Sequence, residues 1–174
     1  MEPLVENSLN LAEDDIFKPF SLEEFIQQKL KNCILNSDGT YSSNGDVDLS
    51  RIGLTKLPVK FKIVKGYFDC GHNKLTALKG APRKVGGYFY CTHNQLTTLK
   101  GAPREVKGAF YCDYNNLTTL EGAPKKVGYS FYCDHNNKLT SLEGAPEEVG
   151  REFRCYSNPV PEDELKKTIS RSYL

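Results

Sequence analysis

Five cysteines recur along the chain at intervals of 21, 21, 21 and 22 residues: Cys70, Cys91, Cys112, Cys133 and Cys155. A fixed period near 20 residues marks a solenoid, because a unit that short cannot bury its apolar face alone and must stack on its neighbours. The rest of the sequence falls into columns against the cysteines. Phe68, Phe89, Phe110, Phe131 and Phe153 stand two residues before them, and Asn73, Asn94, Asn115, Asn136 and Asn158 three after. Leu75, Leu96, Leu117 and Leu139 follow, then Leu78, Leu99, Leu120 and Leu142, then Gly-Ala-Pro from Gly80, Gly101, Gly122 and Gly144. Val85, Val106, Val127 and Val149 close the units. The extra residue in the last interval falls within Asn137-Lys138, between the Asn and Leu columns, where a loop absorbs it. Leu49, Leu54, Leu57 and Val64 lie 21 residues before Cys70, Leu75, Leu78 and Val85 and form an earlier, degenerate unit.

This order decides how the composition reads. Six cysteines in 174 residues invite a disulfide framework. A regular column of inward-pointing thiols on parallel strands fits a reduced core instead, with each Cys packing as a small apolar residue. With 23 Lys+Arg against 22 Asp+Glu, the chain lacks the cationic excess that phosphate backbones or anionic membranes demand, so neither nucleic acid nor membrane is expected as a partner. No apolar run approaches the roughly 18 residues of a spanning helix. Met1 to Phe20 carries acids where a secretory leader would be basic and apolar, so a cytoplasmic location is expected.

Locally, Phe-x-Cys reads as a strand whose period of two turns both side chains into the core. The Asn then turns the chain, its amide satisfying turn and neighbouring-coil backbone groups. Gly-Ala-Pro gives a compact return path. Roughly six coils at strand spacing make a sheet on the order of 25 Å long.

The pattern Phe-x-Cys-x-x-Asn-x-Leu-x-x-Leu resembles the leucine-rich repeat, with Phe and Cys in place of the two strand leucines. The resemblance covers about Asp46 to Pro161. Its 21-residue period is similar to that of the short bacterial class, and Leu-Thr-x-Leu-x-Gly-Ala-Pro followed by Tyr-Phe-Tyr-Cys looks like the small repeat proteins of tailed bacteriophages and their hosts. It implies an α/β solenoid: a right-handed coil with one parallel β-sheet. The expected organisation is a tail at 1–20, expected unstructured, a helix and strand cap at 21–48, the solenoid at 49–160 and a short helical cap at 161–174. Ser21-Leu22-Glu23-Glu24 matches a capping box, and Leu22, Phe25, Ile26, Leu30, Cys33 and Ile34 form one apolar stripe, which predicts a helix from about Ser21 to Lys31. Asp38-Gly39 and Asn44-Gly45 read as turns, and Leu165 and Ile169 as the apolar positions of the terminal helix. Leu9, Leu11, Ile16, Phe17 and Phe20 lie among acids in the tail.

Function is sought on the outward residues beside Phe and Cys, the face with which leucine-rich repeats usually bind. Tyr67, Tyr88, Ala109, Ser130 and Glu152 precede the Phe column; Asp69, Tyr90, Tyr111, Tyr132 and Arg154 follow it; Gly71, Thr92, Asp113, Asp134 and Tyr156 follow the Cys column. Tyr and Arg dominate interface energies because each offers a large contact area with a polar handle. The candidate binding residues are therefore Tyr67, Asp69, Tyr88, Tyr90, Tyr111, Asp113, Tyr132, Asp134, Arg154 and Tyr156. Asp113 and Asp134 are expected on an open sheet, as a dock for a partner's Lys or Arg. The competing bland reading is that the tyrosines stack on one another and stiffen the sheet. His72, His93 and His135 share one column with Tyr114 and Ser157. Their place at the strand end favours a ladder of turn residues over zinc ligation, so neither metal nor cofactor is expected. On the other side, Lys79, Arg83, Lys84, Lys100 and Arg104 toward the start and Glu143, Glu147 and Glu148 toward the end suggest a charge gradient.

The expected function is non-enzymatic: a module that holds a protein partner, with oligomeric state left open. By the phage resemblance, the partner is a host protein and the chain an inhibitor of a host defence protein. Two alternatives stand beside it, an adaptor or effector subunit that delivers a partner to an enzyme on another chain, and a metal- or ligand-binding protein using the histidine column.

Overall fold

A computed structural model describes residues 22–172; of these, the side chains of Leu22, Phe25 and residues 169–172 lie outside the description, as do residues 1–21 and 173–174 altogether. The tail apolar residues, the Ser21 cap and the Ile169 contact therefore fall outside it.

The chain is a β-solenoid with turns of about 21 residues. It starts with helix α1 (Leu22–Leu30) and strand β1 (Cys33–Leu35), then alternates between two sheets. One sheet takes β1, β2 (Tyr41–Ser43), β4 (Phe61–Val64), β6 (Lys84–Val85), β8 (Glu105–Val106), β10 (Lys126–Val127) and β12 (Glu148–Val149), in that order. The other takes β3 (Val47–Asp48), β5 (Phe68–Asp69), β7 (Phe89–Tyr90), β9 (Phe110–Tyr111), β11 (Phe131–Tyr132) and β13 (Phe153–Arg154). Helix α2 (Glu162–Ser172) follows. Apart from the antiparallel β1–β2 hairpin, all pairing is parallel.

The expectation of a single parallel sheet is corrected to two. The valine that closes each repeat pairs in register with its counterparts, Val64, Val85, Val106, Val127 and Val149. Each coil therefore crosses the stack twice, on the Phe strand and on the Val strand. Parallel pairing already begins at β2 and β3, which run beside β4 and β5.

Between the sheets the columns form ladders. Phe68, Phe89, Phe110, Phe131 and Phe153 stack in sequence with centroids 5.6, 5.0, 5.3 and 5.3 Å apart. The first four are fully buried, as are Leu75, Leu96, Leu117 and Leu139 behind them. Burial of one such side chain contributes about 1.5–3 kcal/mol, and only once a neighbouring coil covers it.

All six cysteines are free thiols, five of them buried. The thiols of Cys70, Cys91, Cys112 and Cys133 each donate to a carbonyl of the following coil, those of Tyr90, Tyr111, Tyr132 and Arg154, at 3.2 to 3.3 Å. Burial pushes these four thiols up from their ordinary pKa.

The asparagines bind coil to coil. The Asn115 amide nitrogen donates to the carbonyls of Cys112 (3.1 Å) and Asp113 (3.2 Å) in its own coil and of Cys91 (3.0 Å) in the coil before. Its oxygen accepts from the Leu96 amide at 3.0 Å. Asn73, Asn94 and Asn136 repeat this pattern.

Gly80, Gly101, Gly122 and Gly144 all have left-handed backbones, φ 84° to 102°. At Gly122 a Cβ would come within 2.4 Å of the Lys100 backbone nitrogen, so the return path admits no side chain there.

The expected charge gradient resolves into pairs. Lys84 meets Glu105 (3.1 Å), Lys100 meets Glu121 (2.9 Å), Lys125 meets Glu147 (2.9 Å) and Lys126 meets Glu148 (2.7 Å), each between adjacent coils and in solvent. Exposed pairs of this kind contribute about 0–1 kcal/mol each.

At the ends, Leu30 of α1 is buried, Ile26 packs on the core, and Lys29 reaches Asp48 of β3 at 3.4 Å. In α2 Leu165 packs on the core, while Glu164 accepts from the Leu142 amide (2.7 Å) and the Ser141 hydroxyl (2.9 Å). No helix among the described residues is long and apolar enough to cross a membrane.

Candidate functional site

The Phe-strand sheet has one face in the core and one outside, and the outer face carries the candidate residues. With Phe turned in, Tyr90, Tyr111 and Tyr132 turn out and stack at 4.7 and 4.8 Å, with interplanar angles of 13° and 20°. The Arg154 guanidinium lies over the Tyr132 ring at 4.4 Å and extends the column by a cation–π contact. Tyr88 and Tyr67 approach Tyr90 at 6.1 and 6.4 Å, inclined to it.

The tyrosines therefore do stack, and the stacking decides what they offer. Their ring faces are covered by one another, leaving ring edges and hydroxyls outward. Burial, then the neighbouring Tyr90 and Tyr132, pushes the Tyr111 phenol up to about 12. Burial raises Tyr90 and Tyr67 as well. At neutral pH Tyr90 and Tyr111 therefore present neutral hydroxyls, able to donate and to accept.

The acids behave differently from the expectation. Asp113 and Asp134 do not stand on an open sheet: they are 7% and 5% exposed. Asp113 Oδ1 accepts from the Asp134 amide at 2.9 Å, and Asp134 Oδ1 from the Tyr156 amide at 2.7 Å. Asp134 Oδ2 binds Arg154 Nε at 2.6 Å, so the arginine that pairs with this acid belongs to the chain itself. Strand alternation correctly turns these acids outward, but at the strand end the amide of the next coil closes over them. Burial, reinforced by the Asp134 charge, raises the Asp113 carboxyl. Asp69 is half-buried, accepts from the Gly71 amide at 2.8 Å, and is raised mainly by burial, with the Asp48 charge adding.

Beside this column runs a second ladder. His72, His93, Tyr114 and His135 stack at 4.3, 4.4 and 4.3 Å, all exposed. Each adopts a left-handed backbone, φ 52° to 55°, as do Arg51 (58°) and Ser157 (56°) at either end. Left-handed non-glycine residues cost roughly 1–2 kcal/mol each, so glycine would serve the turn more cheaply. Arg51 Nη2 lies 3.2 Å from His72 Nε2. Burial, then the Arg51 and His93 charges, lowers the His72 pKa.

Rings stacked face to face hold their nitrogen lone pairs in separate planes, which does not match two imidazoles converging on one metal at about 2.0–2.1 Å. Among the described residues no three His, Cys, Asp or Glu side chains gather into a metal-holding group.

Two residues escaped the sequence reading. Arg51 belongs to the degenerate first unit, and its place 21 residues before His72 is the signal that marks it. Tyr129, with Arg151 over its ring at 4.5 Å, occupies a column that is glycine in the earlier coils, so nothing repeated there.

The most exposed aromatics of the face are Tyr156 (64%), Tyr114 (47%) and Tyr88 (42%). Ala109 and Ser130, beside Tyr88 in its column, are buried. No protein-family model matches this sequence, and no curated protein or solved structure matches it either.

Proposed function

We propose that this chain is a non-enzymatic binding module of leucine-rich-repeat type that holds a protein partner on the outer face of its Phe-strand sheet. The observation that carries the reading is the aligned column Tyr90, Tyr111, Tyr132 and Arg154, with Tyr88 and Tyr156 standing proud beside it. A column held by its own stacking loses little side-chain entropy on binding, the condition under which aromatic contact area becomes affinity. The left-handed ladder supports the same face, because backbone strain at non-glycine residues concentrates where side chains are needed for function. Tyr67 and Asp69 extend the site at one end. Asp134 acts beneath it, holding the Tyr156 backbone and the Arg154 side chain, and Asp113 in turn holds the Asp134 backbone. The end helices serve as caps, Leu30 and Leu165 covering apolar surface that stacking leaves open. By the resemblance of the repeats, the setting is a phage-encoded inhibitor of a host defence protein, acting in the host cytoplasm.

The test replaces Tyr90, Tyr111 and Tyr132 together with Ser. The variant is expected to keep its circular dichroism spectrum and lose at least about tenfold in affinity for captured cellular partners. Unchanged capture by the folded variant refutes the face.

A further inference from the structure

On the Val-strand sheet, opposite charges meet from coil to coil: Lys84 with Glu105 and Lys126 with Glu148. The column just before that strand breaks the rule. It reads Lys62, Arg83, Arg104 and Lys125, four exposed cations in successive coils. The backbone holds them in file. The Arg83 amide donates to the Lys62 carbonyl at 2.9 Å, Arg104 to Arg83 at 2.9 Å and Lys125 to Arg104 at 3.2 Å. Lys62 and Lys125, the outer two, each reach an acid at 2.9 Å, Asp38 and Glu147. Among the described residues the inner two, Arg83 and Arg104, form no ion pair. Like charges side by side on neighbouring strands destabilise a sheet, so an outside anion gains here what the fold itself does not supply.

Beside the arginines lies a groove of about 450 Å³. Lys65 and Lys107 line it from the coils on either side of Gly86, in one column with that glycine. A Cβ on Gly86 would come within 2.1 Å of the Lys65 carbonyl oxygen, so no side chain fills the gap between the two lysines. Ile63, 40% exposed, stands in the groove where the later coils carry Lys84, Glu105, Lys126 and Glu148. Glu105 also lines the groove and is held by Lys84 at 3.1 Å.

We propose that this strip and groove bind an acidic segment of a partner protein that carries an apolar residue among its carboxylates. The surface belongs to the other sheet and does not depend on the tyrosine column.

Charge complementarity selects the acid. Arg83 and Arg104 offer two planar forks one row apart, each matched to a carboxylate, with Lys65 and Lys107 beyond them. The groove selects the apolar residue, because Ile63 and the neighbouring Val64 and Val85 give it an uncharged contact. Size selects a short peptide. From Lys62 to Lys125 the strip spans three row spacings, about 14 Å, the reach of four or five extended residues. Beyond it the same columns turn acidic at Glu147 and Glu148, which stops a longer polyanion such as nucleic acid and fixes the direction of a short one. A phosphodiester chain also has no apolar side chain to set against Ile63. Ordering a short flexible segment offsets much of the gain, so the affinity is expected between about 10 and 500 μM.

The experiment is fluorescence anisotropy on the full chain with a fluorescein-labelled Glu-Glu-Leu-Glu-Glu peptide at about 50 mM salt. Saturable binding in that range is expected, several-fold weaker at about 300 mM salt. Arg83→Glu together with Arg104→Glu, both at exposed positions and checked for fold by circular dichroism, weakens it at least about tenfold. Ile63→Ser and a Leu→Ser change in the peptide each weaken it about threefold or more, and the two losses do not add. The Tyr90, Tyr111 and Tyr132 triple variant binds the peptide as the parent does. No saturation up to about 2 mM overturns the proposal, as does binding indifferent to the arginine pair or lost in the tyrosine variant. An oligothymidylate of matching charge that binds as tightly as the peptide makes the strip a general polyanion site and overturns it. A full-chain variant with Glu13→Gln, Asp14→Asn and Asp15→Asn that binds the peptide about tenfold tighter assigns the strip to the chain's own acids, and also overturns it.

Discussion

Replacing Asn115 probes the asparagine ladder where it is complete on both sides. Among the described residues the Leu96 amide donates to Asn115 Oδ1 alone, so truncation to Ala leaves a buried N–H without an acceptor, costing about 1–3 kcal/mol. The carbonyls of Cys91 and Cys112 each keep a second asparagine, Asn94 and Asn136, and lose only one bond apiece. Each such bond contributes about 0.5–1.5 kcal/mol, so Asn115→Ala is expected to cost about 2–6 kcal/mol in all.

Asn115→Asp separates this account from simple loss of packing. Asp keeps the acceptor for Leu96 but turns an oxygen toward carbonyl oxygens now 3.0, 3.1 and 3.2 Å from the amide nitrogen. At pH 7 it should therefore be less stable than Asn115→Ala despite being the closer isostere. Burial and the carbonyls raise the new carboxyl's folded pKa, so its penalty grows as pH rises through that value and shrinks on acidification, when a hydroxyl again donates. Urea denaturation followed by far-ultraviolet circular dichroism and tyrosine fluorescence, with coincident transitions as the two-state check, measures both variants at pH 4 and 7. Asp and Ala variants of equal stability at both pH values would refute the reasoning. Asn158→Ala is the internal comparison: at a half-buried end position it should cost less.

Asp113→Asn keeps the acceptor for the Asp134 amide and removes a buried charge. Because the parent's folded pKa is raised, its carboxyl stabilises the fold below the unfolded value near 3.8 and loses that contribution as pH rises through the folded value. The variant should thus melt at or above the parent at pH 7, with the gap narrowing toward pH 4; a lower melting temperature at pH 7 contradicts this. Gly122→Ala places a Cβ 2.4 to 2.6 Å from the Lys100 and Leu99 backbone at a positive φ, and is expected to destabilise by more than about 1 kcal/mol in the same urea assay. Gly39→Ala, also at positive φ but with open space, should cost less.

The Phe, Cys, Asn, Leu and Val columns were legible because a core position in a stack recurs at the repeat interval whatever surrounds it. The second sheet was not. Two-residue strands such as Lys84-Val85 are too short to show alternation, and their pairing emerges only once coils lie in register. The acids mark a different limit: period two tells in from out, and Asp113 is out, yet nearly covered by chain 21 residues away. The inter-coil ion pairs were open to sequence reading, since Lys84 and Glu105 are 21 residues apart, but summing charge along the chain conceals what comparing rows displays.

The in-register stacking bears on how such a chain can change length. Each 21-residue unit carries its own Phe, Cys, Asn, leucines and Gly-Ala-Pro, and bonds only to the units beside it. An in-frame tandem duplication would therefore insert a coil whose every ladder position is already matched above and below. Gene-level copying and loss of units, more than point substitution, is then the easy route by which this architecture lengthens or shortens its outer face. The 22-residue interval shows where the frame tolerates error, at the outer corner after the asparagine, and the close backbone approach at Gly122 shows where it does not.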